Sequence, residues 1–207
     1  LLTDSQIDRY SRQIILSEVG GRGQERLQQS RLALAGDPGA LEPILPYLAG
    51  AGVGHIDLRL ADQPLERIRA AGARHHPELR LARWEHSSPP ADLTVFVLSH
   101  ASELPSLAAI DRSGVRPLML IRLLAPRAIA TLISRPPCLA CVEPALLAPA
   151  QDAPDELPAD AIAIAGCGEI LLRLLAIAAP GGRLLRCSGY ELRSSPIAAG
   201  ARCRHCA

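Results

Sequence analysis

Along residues 5–29 a polar stretch carries apolar teeth at helical spacing (Ile7, Tyr10, Ile14, Ile15), turns through Gly20-Gly21 and resumes from Gly23 to Gln29. That pattern predicts two short helices. Leu32-Ala33-Leu34-Ala35 reads as a small apolar strand ending at Gly36, and residues 39–51 regain helical spacing until Gly50-Ala51-Gly52-Val53-Gly54 stops them. His55-Ile56-Asp57-Leu58-Arg59-Leu60 alternates as a strand, residues 64–72 form an amphipathic helix, and residues 79–83 and 92–98 are strands, the second buried. A helix over 102–111 and a strand over 117–121 follow. Strand alternates with helix, so the core is expected to be α/β: a doubly wound, mainly parallel, Rossmann-like sheet with helices on both faces. After Arg122 the pattern changes to extended segments over 128–134 and 182–192, with one long helix over 166–178 between them. Residues 144–158, rich in Pro, Ala and acid, read as a long loop.

Composition narrows the classes. At 207 residues the chain suits one good-sized domain, and 48% hydrophobic with 21% charged residues is globular composition. A formal net charge of +1 and five aromatic residues argue against a nucleic-acid or anionic-membrane surface. Apolar runs such as 171–179 are broken well short of the ~20 residues a membrane span needs. Residues 1–6 lack a basic region leading into an apolar core, so no signal peptide is expected, and a cytoplasmic location is. There is no Lys and no Asn, and all 22 basic residues are Arg. Any chemistry that needs an amine point charge or an Asn carboxamide is closed to this chain.

Four of the six cysteines form two C-x-x-C pairs, Cys138-Leu139-Ala140-Cys141 and Cys203-Arg204-His205-Cys206. A two-residue gap lets both thiolates of a knuckle reach one metal, and two knuckles complete a tetrahedral sulfur shell, which suits structural zinc. Redox motifs or a disulfide framework are the other readings. A cytoplasmic chain argues against disulfides, and nothing before Cys138 resembles a thioredoxin strand and helix. Zinc would tie residues 203–206 back to the middle of the chain. Cys167, expected at a helix start, and Cys187, in a strand, read as small buried residues rather than nucleophiles.

The stretch Arg9-Tyr10-Ser11-Arg12-Gln13-Ile14-Ile15-Leu16, with Gly20-Gly21-Arg22-Gly23-Gln24-Glu25-Arg26-Leu27, resembles the N-terminal signature of the ThiF/MoeB/HesA adenylyltransferases, relatives of ubiquitin-activating enzymes. The resemblance continues through Tyr47-Leu48-Ala49-Gly50-Ala51-Gly52-Val53-Gly54, Asp92-Leu93-Thr94-Val95, Gly166-Cys167-Gly168 and both cysteine pairs, in family-like order. It implies one domain over 1–207, with N-terminal helices (1–30), a nucleotide-binding-like core (31–122) and a C-terminal part holding the four-cysteine zinc site (123–207). It also implies a homodimer. The implied chemistry joins ATP to the C-terminal glycine carboxylate of a ubiquitin-like sulfur-carrier protein, releases pyrophosphate, and passes the acyl adenylate to a sulfur donor or thiol. Such a site needs backbone amides for phosphates, a ribose carboxylate, a magnesium ligand and cations.

Set against that pattern, the family's G-x-G-G-x-G phosphate loop reads here as Gly36-Asp37-Pro38-Gly39-Ala40-Leu41. Gly36 and Gly39 match. Pro38 offers no amide hydrogen, Leu41 puts a side chain where the helix should approach closely, and Asp37 adds a negative charge. Leu60 stands where the ribose acid is expected, while Asp62 matches the second acid of the family's D-x-D. The N-L-x-R-Q segment and active-site lysine that should follow are missing, and Ser99-His100 stands in place of the magnesium aspartate. Arg12 matches the arginine finger that reaches a neighbour's nucleotide, with an interface salt bridge as its other reading. No cysteine lies in residues 144–158, where thioester-forming relatives carry theirs.

Three functions remain in view. One is a degenerate relative keeping fold, dimer and zinc while ATP and magnesium chemistry is weak or lost, which would dock a sulfur carrier or pair with an active paralogue. A second is an active adenylyltransferase of sulfur-carrier biosynthesis (molybdopterin, thiamine or related) with a divergent ATP site. The third, a dinucleotide-binding oxidoreductase, suffers equally from Pro38 and Leu60.

Overall fold

The computed structural model describes residues 1–36, 41, 43–59, 74, 76–85, 87–98, 107, 109, 117–124, 127–133, 138–147, 159–176, 183–188 and 191–197. The chain opens with helices α1 (Asp4–Ile14) and α2 (Gly20–Gln29), then strand β1 (Arg31–Gly36), helix α3 (Ile44–Ala51) and strand β2 (His55–Arg59). Strands β3 (Arg80–Arg83), β4 (Leu93–Leu98), β5 (Leu118–Leu124) and β6 (Arg127–Ile133) follow. Helices α4 (Leu139–Leu147) and α5 (Ala159–Leu174) lead to strands β7 (Arg183–Ser188) and β8 (Glu191–Pro196). The helix expected over 64–72 lies outside the described residues, and so does most of that over 102–111, of which Leu107 and Ala109 are helical.

All eight strands join one sheet in the order β3-β2-β1-β4-β5-β6-β7-β8. The first five are mutually parallel and the last three antiparallel. Connection length explains the change. Two residues separate β5 from β6 and β7 from β8, far too few for the crossover that parallel neighbours require. The segment read simply as extended over 182–192 is thus two paired strands, with Ser188 opposite Glu191.

Alternation along the strands sorts two cores. Leu32, Leu34, Ile56, Leu58, Val95, Val97, Met119 and Ile121 face α3 and α5. Ala35, Phe96, Leu98, Leu118, Leu120 and Ile129 face Leu107 and Val142 of α4. Each buried aliphatic side chain contributes about 1.5–3 kcal/mol relative to exposure. Helices cover both faces, as the sequence pattern predicts.

Two expectations need correcting. Helix α5 begins at Ala159, not near Gly166, so Cys167 sits mid-helix. Gly166 interrupts nothing: a Cβ there would come within 3.1 Å of Ile121 Cδ1, so the glycine lets the helix lie close on the sheet. Helix α4 extends through Pro144 into the stretch read as loop, although the proline forfeits one backbone hydrogen bond.

Candidate functional site

In parallel α/β sheets ligands bind beyond the carboxyl ends of the strands, where strand order reverses. Here that point lies between β1 and β4, at Gly36 and Leu98. Gly36 has φ +135°, and a Cβ on it would collide with the Val97 carbonyl oxygen. Glycine is therefore demanded by the close approach of β4, with or without a ligand. Leu41 is buried in the core with Ile44 and Leu45. Gly39 and Asp62 lie outside the described residues, as do Pro38, Leu60 and Ser99-His100.

Two cations stand at this edge among the described residues. Arg59 ends β2, exposed, with its guanidinium 6.0 Å from the centre of the Trp84 ring. Arg122, in register with Leu98, lies near the end of β5. The acids Asp57 and Asp92 are engaged further down the sheet. Asp57 receives Arg31 through both oxygens (Nε–Oδ2 2.7 Å, Nη2–Oδ1 3.3 Å), and Asp92 Oδ2 accepts the Arg31 backbone N–H at 2.7 Å. Asp92 thus braces the amino end of β1 and is no substitute for the magnesium ligand. A cleft of about 480 Å³ opens at that amino edge between Arg26, Asp92 and Arg173. Its cations are already engaged, Arg26 with the Leu175 carbonyl at 2.8 Å and Arg173 3.9 Å from Glu169.

Arg12 is exposed in the last turn of α1, where a cation suits the helix dipole. Its helix is held firmly. Thr3 and Gln6 form a capping box, and Gln6 donates to Glu78 at 2.6 Å. Tyr10, 1% exposed, meets His76 (Tyr10 Oη to His76 Nδ1, 3.3 Å), and Gln13 donates to the Gly50 carbonyl. The α3 cap, Gly52, has φ +91°, and its missing side chain makes room for the Tyr10 ring and the Gln24 amide.

At the start of α4 the Cys138 and Cys141 sulfurs lie 3.7 Å apart. Two sulfurs ~2.3 Å from one tetrahedral ion are separated by roughly 3.8 Å, so this half of the knuckle fits zinc. Cys203 and Cys206 lie outside the described residues, among which no group of three metal-ligating side chains occurs. Cys167 is a different kind of cysteine. Its thiol points at the Ile44 carbonyl (3.5 Å), and burial pushes it up to about 12, which leaves no thiolate for nucleophilic work.

No family model matches the chain. Its curated relatives include the adenylyltransferase and sulfurtransferase MOCS3 of Culex quinquefasciatus, 51% identical over 57 residues, covering 28% of this chain and 13% of that protein. The sulfur carrier protein adenylyltransferase of Thermus thermophilus is 46% identical over 54 residues, covering 26% of this chain and 20% of that protein. Among solved structures, E. coli MccB crystallised with ATP matches at a TM-score of 0.70 and 15% identity, over 99% of this chain and 75% of that one. Over those segments the chain is similar to sulfur-carrier adenylyltransferases, in line with its ThiF/MoeB/HesA-like motifs. The matched segments span only a fifth or less of the curated relatives, and the structural likeness conveys fold alone.

Within this ThiF-like chain, sequence reasoning missed the Arg31–Asp57 pair, the Arg59–Trp84 contact and Arg122. A signal existed for the last: an arginine inside the apolar run Leu118–Leu124 breaks the pattern of a central strand. Nothing in the sequence pairs Arg31 with Asp57, because only strand register sets them side by side.

Proposed function

We propose that this chain is a ThiF/MoeB-like docking protein for a ubiquitin-like sulfur carrier, in which ATP-dependent adenylylation of the carrier's C-terminus is weak or lost. The observation that carries the reading is Leu41. Where the family's phosphate loop ends in glycine, this chain buries a leucine in its core. Lys and Asn, which the family's site uses, are absent from the whole chain. Removing one oxyanion-type donor costs roughly 10²–10³ in rate, and several ligands are altered together. The Thermus thermophilus relative is named a sulfur carrier protein adenylyltransferase, which supports the choice of partner.

In this reading the protein works in the cytoplasm as a homodimer, or as the inactive half of a heterodimer with an active paralogue. Structural zinc is held by Cys138, Cys141, Cys203 and Cys206. Gly36, Gly39 and Asp62 are remnants of the nucleotide site, and Arg12 is retained at the interface. A second reading, an active adenylyltransferase with a divergent ATP site, draws support from Arg12, which is exposed and free of ion pairs among the described residues.

Titration calorimetry with ATP and magnesium, alongside carrier-dependent pyrophosphate exchange, separates the two. Carrier binding without exchange is expected. Exchange at ordinary enzymatic turnover, about 1–10³ s⁻¹, would establish the second reading instead.

A further inference from the structure

Three basic side chains stand in one row at the amino end of the sheet. Register places Arg31 of β1 beside His55 of β2, and His55 beside Arg80 of β3. Residues in register on neighbouring strands point to the same face, about 4.8 Å apart. The row therefore reads Arg-His-Arg across three adjacent strands, and like charges so placed repel one another unless something offsets them. Only Arg31 has an acid. Its Nε and Nη2 donate to Asp57, whose side chain is 3% exposed, while its Nη1 takes no part. The side chains of His55 and Arg80 have no hydrogen bond or ion pair among the described residues.

The resulting field is felt at His55. The charged groups acting on it are Arg80 from β3, Arg31 from β1 and Asp57 from its own strand. Burial, Arg80 and Arg31 hold its pKa below the ordinary 6.5, and Asp57 opposes them without cancelling them. Asp92, where the chain enters β4, spends one oxygen on the Arg31 backbone N–H. Positive charge is thus in local excess, although the whole chain carries only +1.

The row lies five residues back along β1 from Gly36, about 16 Å, and so at the opposite end of the strand from the ligand edge considered above. Half-buried His55 and exposed Arg80 leave it open to solvent. We infer that Arg31, His55 and Arg80 form an oxyanion site for a dianionic tetrahedral group of the phosphate-ester class. Two guanidinium groups on either side of an imidazole offer N–H donors to separate oxygens of one such anion, whereas Arg80 alone would satisfy a single carboxylate. The dianion offsets the surplus charge of the row, and the protonated imidazole that it favours adds a further donor. This site is independent of the proposed carrier docking.

The test uses the full chain in sodium sulfate, a tetrahedral dianion at every pH used, against sodium chloride at equal ionic strength. NMR titration of the His55 imidazole, assigned by its loss in His55→Gln, reads the site directly. In chloride, Arg80→Gln should itself raise the His55 midpoint, because a neighbouring cation is gone. Sulfate is expected to raise the midpoint by about half a pH unit or more in the wild type, and to leave it unmoved in Arg80→Gln. At about pH 5.5, Arg80→Gln should bind sulfate about tenfold more weakly than the wild type, and His55→Gln should lose the rise in affinity on acidification. Glycerol phosphate and a phosphoserine peptide separate the sources of the group: whichever binds tighter than sulfate assigns it to a small ligand or to a modified protein. A wild-type midpoint indifferent to sulfate would overturn the inference. So would a sulfate shift that survives Arg80→Gln, which marks general screening, or a chloride midpoint that this substitution leaves in place.

Discussion

His76 is 1% exposed, wedged edge-on against Tyr10 with ring centres 6.2 Å apart, and Glu78 and Arg9 lie near it. Burial, the largest influence, and Arg9 lower its pKa below the ordinary 6.5, and Glu78 opposes them. His55 is shifted the same way by burial and by Arg80 and Arg31. Lowered folded values mean that the unfolded chain binds more protons in this range. Stability from these residues is therefore complete above pH 6.5 and lost as pH falls through their folded values. Burial raises Glu169, which acts in the opposite sense: its contribution is present at acid pH and fades as pH rises from the carboxylate range. The melting temperature should thus hold from pH 8 to 7 and drop between pH 6.5 and 5. In His76→Gln that drop should be shallower, and an identical pH profile for both proteins would count against the assignment. The sequence marked Tyr10 only as an apolar tooth and passed over His76. Their meeting is 66 residues apart along the chain, and only packing brings it about.

Element by element, legibility followed how strong the local pattern was. Helices α1 and α2 and strands β1, β2 and β4 lie close to where periodicity puts them, since each has one clear apolar face or run. Helix α5 was read as starting seven residues late because Gly166 and Gly168 look like an entry point. Upstream, Ala159–Ala165 alternates small and branched residues in a way that fits either helix or strand. Alanine's helix propensity and the cover given to the sheet decide for helix. Helix α4 was missed because Pro144 argues against it locally, while Val142 anchors it in the core. At its start, Cys138 and Cys141 invite a measurement. One zinc per chain is expected in purified protein. Cys138→Ser should lose it and destabilise the fold by several kcal/mol, since metal-binding free energy of about 10–16 kcal/mol in small zinc modules is folding free energy. Metal analysis together with melting would check this, and a metal-free wild type with unchanged melting of the variant would refute it.

Across the whole molecule, large apolar side chains stand out of the surface where α1 ends and on α3: Ile15 at 78%, Leu16 at 51% and Tyr47 at 44% exposure. Ile15 and Leu16 follow Arg12 closely in the chain, and such side chains suit the proposed pairing with a second copy, which would remove them from water. Ile15→Asp should shift the protein from dimer to monomer in light scattering while its melting transition stays cooperative. A wild type that is monomeric at tens of micromolar would end the homodimer proposal.

The sequence by itself determined the α/β class, most strand positions, the family resemblance and the four-cysteine pattern, because these rest on local periodicity, short spacings and residue chemistry. Tertiary structure alone decided that Gly36 serves β4, that Leu41 belongs to the core, that Arg31 holds Asp57 and that Nε and Nη1 of Arg122 are buried without a hydrogen-bond partner. Each of those depends on strand register and burial, which join residues far apart in the chain. Whether a charge is solvated or stranded is settled only when the surrounding elements have closed over it.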